Sequence, residues 1–116
     1  MSMLEELKGL GVNVEEGLKR LGGNEPFYER MLGKFTEMIK DSSIQPDFDS
    51  TDYAEMIEKA HALKGAAGNL SISPLYEAYT EIVDLLRGGK PEQAKEVLVK
   101  TIPVQEKIVD CIEQHM

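Results

Sequence analysis

Apolar residues recur at helical spacing along most of the chain and predict a protein built from helices alone. The clearest run has apolar residues three and four positions apart: Tyr53, Met56, Ile57, Ala60, Leu63, Ala67 and Leu70. Similar patterns predict further helices at about residues 2–10, 13–21, 26–40, 73–87 and 91–112. No segment shows the alternation of a strand. We therefore expect an antiparallel four-helix bundle with short N-terminal helices packed against it.

Capping residues and prolines indicate where these helices begin and end. Asn13, followed three residues later by a glutamate, is typical of an N-cap with its capping-box partner. Ser73, followed by a proline, predicts another N-cap. Either Asp49 or Ser50 is expected to cap the helix that contains the histidine motif described below. Pro103 is expected to kink the last helix or to split it in two, because it cannot donate a backbone hydrogen bond.

Composition and charge favour a single soluble domain over residues 1–116. The chain is 41% hydrophobic and 29% charged, and its formal charge is −8. That charge opposes binding to a polyanion, so a nucleic-acid partner is not expected. No apolar run approaches the ~20 residues that cross a bilayer, and the start lacks the features of a secretory signal. We therefore predict a cytoplasmic protein without a membrane partner.

The cysteine and histidine content gives no sign of a metal site. The single cysteine, Cys111, falls on the apolar stripe of the last helix, where a buried thiol acting as a small hydrophobic group is expected. His61 and His115 are the only imidazoles and have no spacing relation. His115 lies next to the C-terminus and is expected to be frayed and without a role. No metal ligand set is therefore predicted.

His61 lies beside the apolar stripe of its helix. At ~100° per residue it is about 110° from the centre of the apolar arc, so its imidazole is expected to face solvent. Lys64 follows at i+3 and brings a positive charge near it. Gly65 at i+4 and Gly68 at i+7 leave this edge of the helix almost without side chains. Each glycine costs a helix ~0.8–1 kcal/mol relative to alanine, so their presence indicates that a partner approaches closely.

Each of these features also has a purely structural interpretation. An exposed histidine is commonly only a surface residue, and a lysine one turn away is commonly only a solvated charge. Gly68 or Asn69 can serve as a C-cap of the helix. The methionines and Phe35 of the preceding helix suit either core packing or an adaptable binding groove. The combination His-x-Leu-Lys-Gly-x-x-Gly favours a functional site more than any one of its residues does.

The segment AHALKGAAGNL, residues 60–70, resembles the signature of histidine-containing phosphotransfer (HPt) domains. Residues 14–24, followed by Phe27 and Tyr28, are similar to the family's usual entry into its first bundle helix. The resemblance therefore covers most of the chain. One residue departs from the pattern, because many members have glycine where this chain has Ser71.

The resemblance implies a phosphoryl carrier in a two-component phosphorelay. His61 would accept the group from an aspartate of one receiver domain and pass it to another, and Lys64 would stabilise the charge on the phosphoryl oxygens. Gly65, Gly68 and Asn69 would form the receiver-docking surface. The implied partners are response-regulator receiver domains and, in some pathways, a hybrid sensor kinase. Mg²⁺ is expected on the receiver, whereas this chain is expected to be a monomer without cofactor, metal or kinase activity.

An alternative of a different class stays open. A helical bundle could dock a signalling partner through the glycine-cleared edge without becoming phosphorylated, although this leaves the pairing of His61 with Lys64 unexplained. The residues also leave open which receivers take part, and whether the chain is a free-standing shuttle or part of a longer kinase.

Overall fold

The computed structural model describes residues 2–115, and this range contains six α-helices. They are α1 (Met3–Gly9), α2 (Val14–Arg20), α3 (Glu25–Ser42), α4 (Ala54–Asn69), α5 (Ser73–Arg87) and α6 (Pro91–Gln114). No strand occurs in the described residues, so the predicted all-helical class is confirmed. Over the same range, the helices lack the combination of length and apolar character that crossing a bilayer requires.

Polar side chains cap the first three helices. The Ser2 hydroxyl accepts a hydrogen bond from the backbone amide of Glu5 at 3.2 Å. The side-chain carbonyls of Asn13 and Asn24 accept from the amides three residues further on, at 3.2 and 3.0 Å. The Asn13 cap agrees with the sequence prediction, and its side-chain amide also donates to the Glu16 carboxylate at 3.1 Å. These bonds satisfy amides that a helix start leaves without a partner.

The start of α4 differs from the prediction. This helix begins at Ala54 with Tyr53 as its N-cap, and no side chain caps it, so neither Asp49 nor Ser50 has that role. Asp49 instead accepts hydrogen bonds from the backbone amide and the hydroxyl of Thr51, at 2.8 and 2.7 Å. A short polar side chain can bind the backbone two residues on as readily as it caps a helix, and here the local turn prevails.

Two further expectations about helix ends are corrected. The N-cap of α5 is Ile72 and not Ser73, because α5 begins one residue earlier than a Ser73 cap requires. Of the two outcomes expected at Pro103, a kink or a split, the split does not occur, because α6 continues through this residue. His115 is held in place, since its Nε2 lies 2.6 Å from the Glu6 carboxylate on α1. That contact could not be predicted from the chain alone, because it depends on α1 packing against α6.

The connection between α3 and α4, residues 43–53, is attached to the start of α6. Lys95 donates to the Ser50 hydroxyl at 2.7 Å, and this hydroxyl is hydrogen-bonded to the Glu92 carboxylate. The Lys95 ammonium also lies 4.8 Å from the centroid of the Phe48 ring, within cation–π range. These contacts fix the chain just before α4 and so help to set where that helix begins.

One hydrophobic core lies among the longer helices. α5 packs against α4 and α6, and α3 contacts both α4 and α6. The largest fully buried side chains are Tyr28, Tyr79, Leu7, Leu32, Leu63, Ile72, Leu75, Ile82, Leu86, Leu98, Ile108 and Ile112. Tyr79 and the buried Gln105 form a hydrogen bond inside this core. The core therefore packs α3, α4, α5 and α6 together. One stripe of α4 is buried in it, and the opposite face of α4 is exposed to solvent.

Candidate functional site on helix α4

His61 lies in the middle of α4 and is exposed. Its neighbours Ala60, Leu63 and Ala67 are completely buried. A rotation of about 100° per residue turns His61 away from that buried stripe, as the sequence predicts. Its imidazole can therefore meet a group that arrives from solvent.

Lys64 lies one turn after His61 and is partly buried. Helix geometry places the Cβ atoms of residues three apart within about 5–6 Å of each other. None of the ion pairs formed within residues 2–115 involves Lys64, whereas Lys59 on the same helix is 3.6 Å from the Glu55 carboxylate. The positive charge beside His61 is therefore not neutralised by a carboxylate of the described chain.

The two glycines of the motif have different surroundings. A Cβ built on Gly65 would have no heavy atom within 4 Å, so this part of α4 is open. A Cβ on Gly68 would lie 2.9 Å from Cδ1 of Tyr76 on α5. Gly68 therefore lets the Tyr76 ring pack against α4, a structural role that the sequence analysis did not consider. Only Gly65 leaves bare backbone facing solvent at this edge.

Asn69 is exposed at the end of α4, between two hollows in the surface. One hollow contains mainly apolar side chains from α3 and the end of α2: Leu21, Met31, Phe35 and Met38. The other contains Gly65, Gly68 and the polar Glu77. Arg20 borders both hollows. Met31 and Met38 thus line an accessible hollow, whereas Phe35 between them belongs to the buried core.

Arg20 and Glu16 are site neighbours that the sequence analysis missed. The Arg20 guanidinium donates to the Glu16 carboxylate through Nε at 3.1 Å and Nη2 at 2.8 Å. This guanidinium holds the pKa of Glu16 below its usual value. Their i,i+4 spacing is visible in the sequence, but their position beside Asn69 depends on how α2 packs.

Ser71 gives the chain an unusual backbone conformation just after α4. Its φ is +55°, in the left-handed region that glycine adopts most easily, and its side chain is buried. The Ser71 carbonyl accepts a hydrogen bond from the backbone amide of Asn13 at 2.9 Å. The backbone amide of Ile72 donates to the Ala67 carbonyl at 2.9 Å. The position where the chain departs from the HPt pattern is therefore one whose geometry favours glycine.

Comparisons of the chain with models of protein families, with curated proteins and with solved structures found no match.

Proposed function

We propose that this protein is a histidine phosphotransfer protein of a two-component phosphorelay. The observation that carries the proposal is the exposed His61 with two neighbours: Lys64, one turn away, which forms no ion pair within residues 2–115, and the open Gly65. The HPt-like pattern of residues 60–70 supports it. In this proposal α3, α4, α5 and α6 form an antiparallel four-helix bundle, which fits the contacts of α3 and α5 with both α4 and α6.

The proposed reaction needs only a nucleophile, a cation and room for the donor. A neutral imidazole nitrogen of His61 attacks the phosphorus of a receiver's phosphoaspartate. A nitrogen–phosphorus bond forms as the bond from phosphorus to the aspartate oxygen breaks, and the aspartate leaves as a carboxylate. Transfer to a second receiver is the reverse exchange. Lys64 offsets the charge of the phosphoryl oxygens during both steps.

The remaining parts of the proposal concern the partners. Receiver domains dock over Gly65 and Asn69, and each receiver holds the Mg²⁺ that the exchange uses. The chain itself is a monomeric cytoplasmic carrier that has no kinase activity and depends on its partners for phosphoryl groups. The open surface at Gly65 suits receiver docking, because the backbones of two proteins can approach closely only where a side chain is absent.

The test is phosphoryl transfer from a panel of purified receivers charged with radiolabelled acetyl phosphate and Mg²⁺. We expect an acid-labile, alkali-stable label on the wild-type chain and none on His61→Gln. The matched control is His115→Gln, which removes the other imidazole and should leave the label unchanged. His61→Gln should also keep its helical circular dichroism and lose less than about 0.5 kcal/mol of stability, because the side chain is exposed.

The second candidate function is a docking module that is never phosphorylated. The apolar hollow formed by Leu21, Met31, Phe35 and Met38 beside Asn69 favours it, because methionine-rich grooves adapt to partner surfaces. Tight receiver binding without label on His61 would support this candidate against the phosphorelay. If the His61→Gln variant still becomes labelled, His61 is not the phosphoryl acceptor.

A further inference from the structure

Three groups of the kind that ligate transition metals meet at the junction of α1 and α6. Glu6 comes from α1, Cys111 comes from the last turn of α6, and His115 is the C-cap residue directly after α6. Their ligand atoms all lie within 4.8 Å of one another. The Glu6 Oε2 atom is 3.4 Å from Cys111 Sγ and 2.6 Å from His115 Nε2. The cluster lies on a different helix pair from the His61 site.

The spacing of these atoms fits a tetrahedral metal ion after a small adjustment. Bond lengths of about 2.0–2.3 Å to zinc place tetrahedral ligand atoms roughly 3.3–3.7 Å apart. The distance from Glu6 to Cys111 already has this value. The Glu6–His115 pair, now joined by a hydrogen bond, would open by less than about 1 Å. Cys111 Sγ and His115 Nε2, which lie within 4.8 Å of each other, would close by up to about 1 Å. The i,i+4 spacing of Cys111 and His115 keeps both on one face of α6, which a shared ion requires.

We propose that Glu6, Cys111 and His115 bind a divalent transition-metal ion of the Zn²⁺ class, with water as the fourth ligand. The donor set of one carboxylate, one thiolate and one imidazole is one that Zn²⁺ accepts and Mg²⁺ or Ca²⁺ does not prefer. On binding, the Cys111 thiol releases its proton to solvent, and the metal–sulfur bond takes the place of the contact from sulfur to Glu6. No electron is transferred.

The Glu6 carboxylate already contacts both other ligand groups. Its Oε2 atom faces Cys111 Sγ and His115 Nε2, so the three ligand atoms converge on one place. A divalent ion placed among them would favour the thiolate form of Cys111, because a coordinated thiol loses its proton.

A metal at this place would attach α1 to the rest of the protein. α1 has only seven residues, too few for a stable isolated helix, and it is held by the buried Met3, Leu4 and Leu7. α1 contacts α2 and α6, and the other two ligands come from α6 and from its C-cap residue, His115. An ion that binds only the folded arrangement would stabilise the protein in proportion to the logarithm of its concentration.

The first measurement is titration of the reduced protein with Co²⁺, followed by displacement with Zn²⁺. We expect one equivalent to bind, with a sulfur-to-cobalt charge-transfer band and the visible bands of tetrahedral Co²⁺, all lost when Zn²⁺ is added. Cys111→Ser should remove the charge-transfer band. Zn²⁺ should raise the melting temperature of the wild-type protein.

His115→Gln and Glu6→Gln test the other two ligands. His115 is exposed at the end of α6, so its variant should fold normally while Zn²⁺ affinity falls by at least about tenfold. His61→Gln is the matched control and should bind Zn²⁺ like the wild type. Binding only at millimolar Zn²⁺, or equal binding by the His115→Gln and wild-type proteins, would overturn the proposal. Neither result depends on whether His61 carries a phosphoryl group.

Discussion

The hydroxyl group of Tyr28 on α3 donates a 2.7 Å hydrogen bond to the carbonyl oxygen of Leu70, the residue that follows α4. This bond is buried, and Gly17 of α2 lies directly against both partners. Three helices therefore meet at the end of α4, close to Gly68 and Asn69. The positions of the proposed docking residues depend on this junction as well as on α4 itself.

Gly17→Ala should destabilise the protein strongly. The added Cβ would lie 2.7 Å from Cε1 of Tyr28 and 2.8 Å from the backbone oxygen of Leu70, which cannot rotate away. We expect a loss of about 2 kcal/mol in the free energy of unfolding by denaturant titration. The control is Gly9→Ala, where no atom lies within 4 Å of the new Cβ and stability should stay the same or rise slightly. Equal effects of the two substitutions would contradict the close contact.

Tyr28→Phe should change how stability depends on alkaline pH. Burial raises the pKa of Tyr28 from 10.0 to about 12, so the folded protein holds this proton more tightly than the unfolded chain does. The resulting stability is complete below pH 10 and is lost as pH rises towards 12. Burial raises the pKa of Tyr79 as well, which adds a loss in the same direction.

The variant should therefore be less stable near neutral pH by about 1 kcal/mol, through loss of the hydrogen bond to Leu70. Its further loss of stability above pH 10 should be smaller than that of the wild type, because Tyr28 no longer contributes. Tyr79 and Cys111, whose pKa values burial also raises, still contribute in both proteins. Denaturant unfolding at about pH 8 and about pH 11 measures both effects. If the variant and the wild type lose the same stability between the two pH values, burial does not raise the pKa of Tyr28.

Ser71→Gly should stabilise the protein, and Ser71→Val should destabilise it. The φ of +55° at Ser71 is unfavourable for any residue with a Cβ and worst for a β-branched one. The buried Ser71 hydroxyl also has no hydrogen-bond partner among the described residues, so its removal costs little. Thermal unfolding should show a gain of up to about 1 kcal/mol for glycine and a loss of about 2 kcal/mol for valine. A glycine variant less stable than wild type would contradict backbone strain at Ser71.

Gly65→Leu should weaken receiver docking without weakening the fold. Nothing surrounds a Cβ at this position, so leucine would project into the space that a docked receiver needs. Leucine also suits a helix better than glycine by up to about 1 kcal/mol, so the melting temperature should rise or stay the same. We expect receiver affinity to fall by at least about tenfold, equivalent to roughly 1.4 kcal/mol. Gly65→Ala is the matched smaller change and should show a weaker effect; unimpaired transfer by Gly65→Leu would remove Gly65 from the docking surface.

Local pattern was sufficient for much of the fold. The six helices follow the periodicity of apolar residues, and the Asn13 cap follows from its spacing to Glu16. The prediction was wrong where two local interactions compete. Asp49 and Ser50 both have suitable side chains for an N-cap, but Asp49 binds Thr51 and Ser50 binds α6 residues. Sequence alone does not show which of these hydrogen bonds prevails.

The sequence by itself determined that His61 faces water with Lys64 and Gly65 beside it, because burial of Ala60, Leu63 and Ala67 fixes the direction of every other residue on the same helix. Only the tertiary structure decided which groups from elsewhere surround these residues. It placed Tyr76 against Gly68, Arg20 beside Asn69, and Glu6 within reach of Cys111 and His115. Helical periodicity acts over a few residues, whereas contacts between helices depend on how whole faces pack together, and no spacing in the chain records that packing.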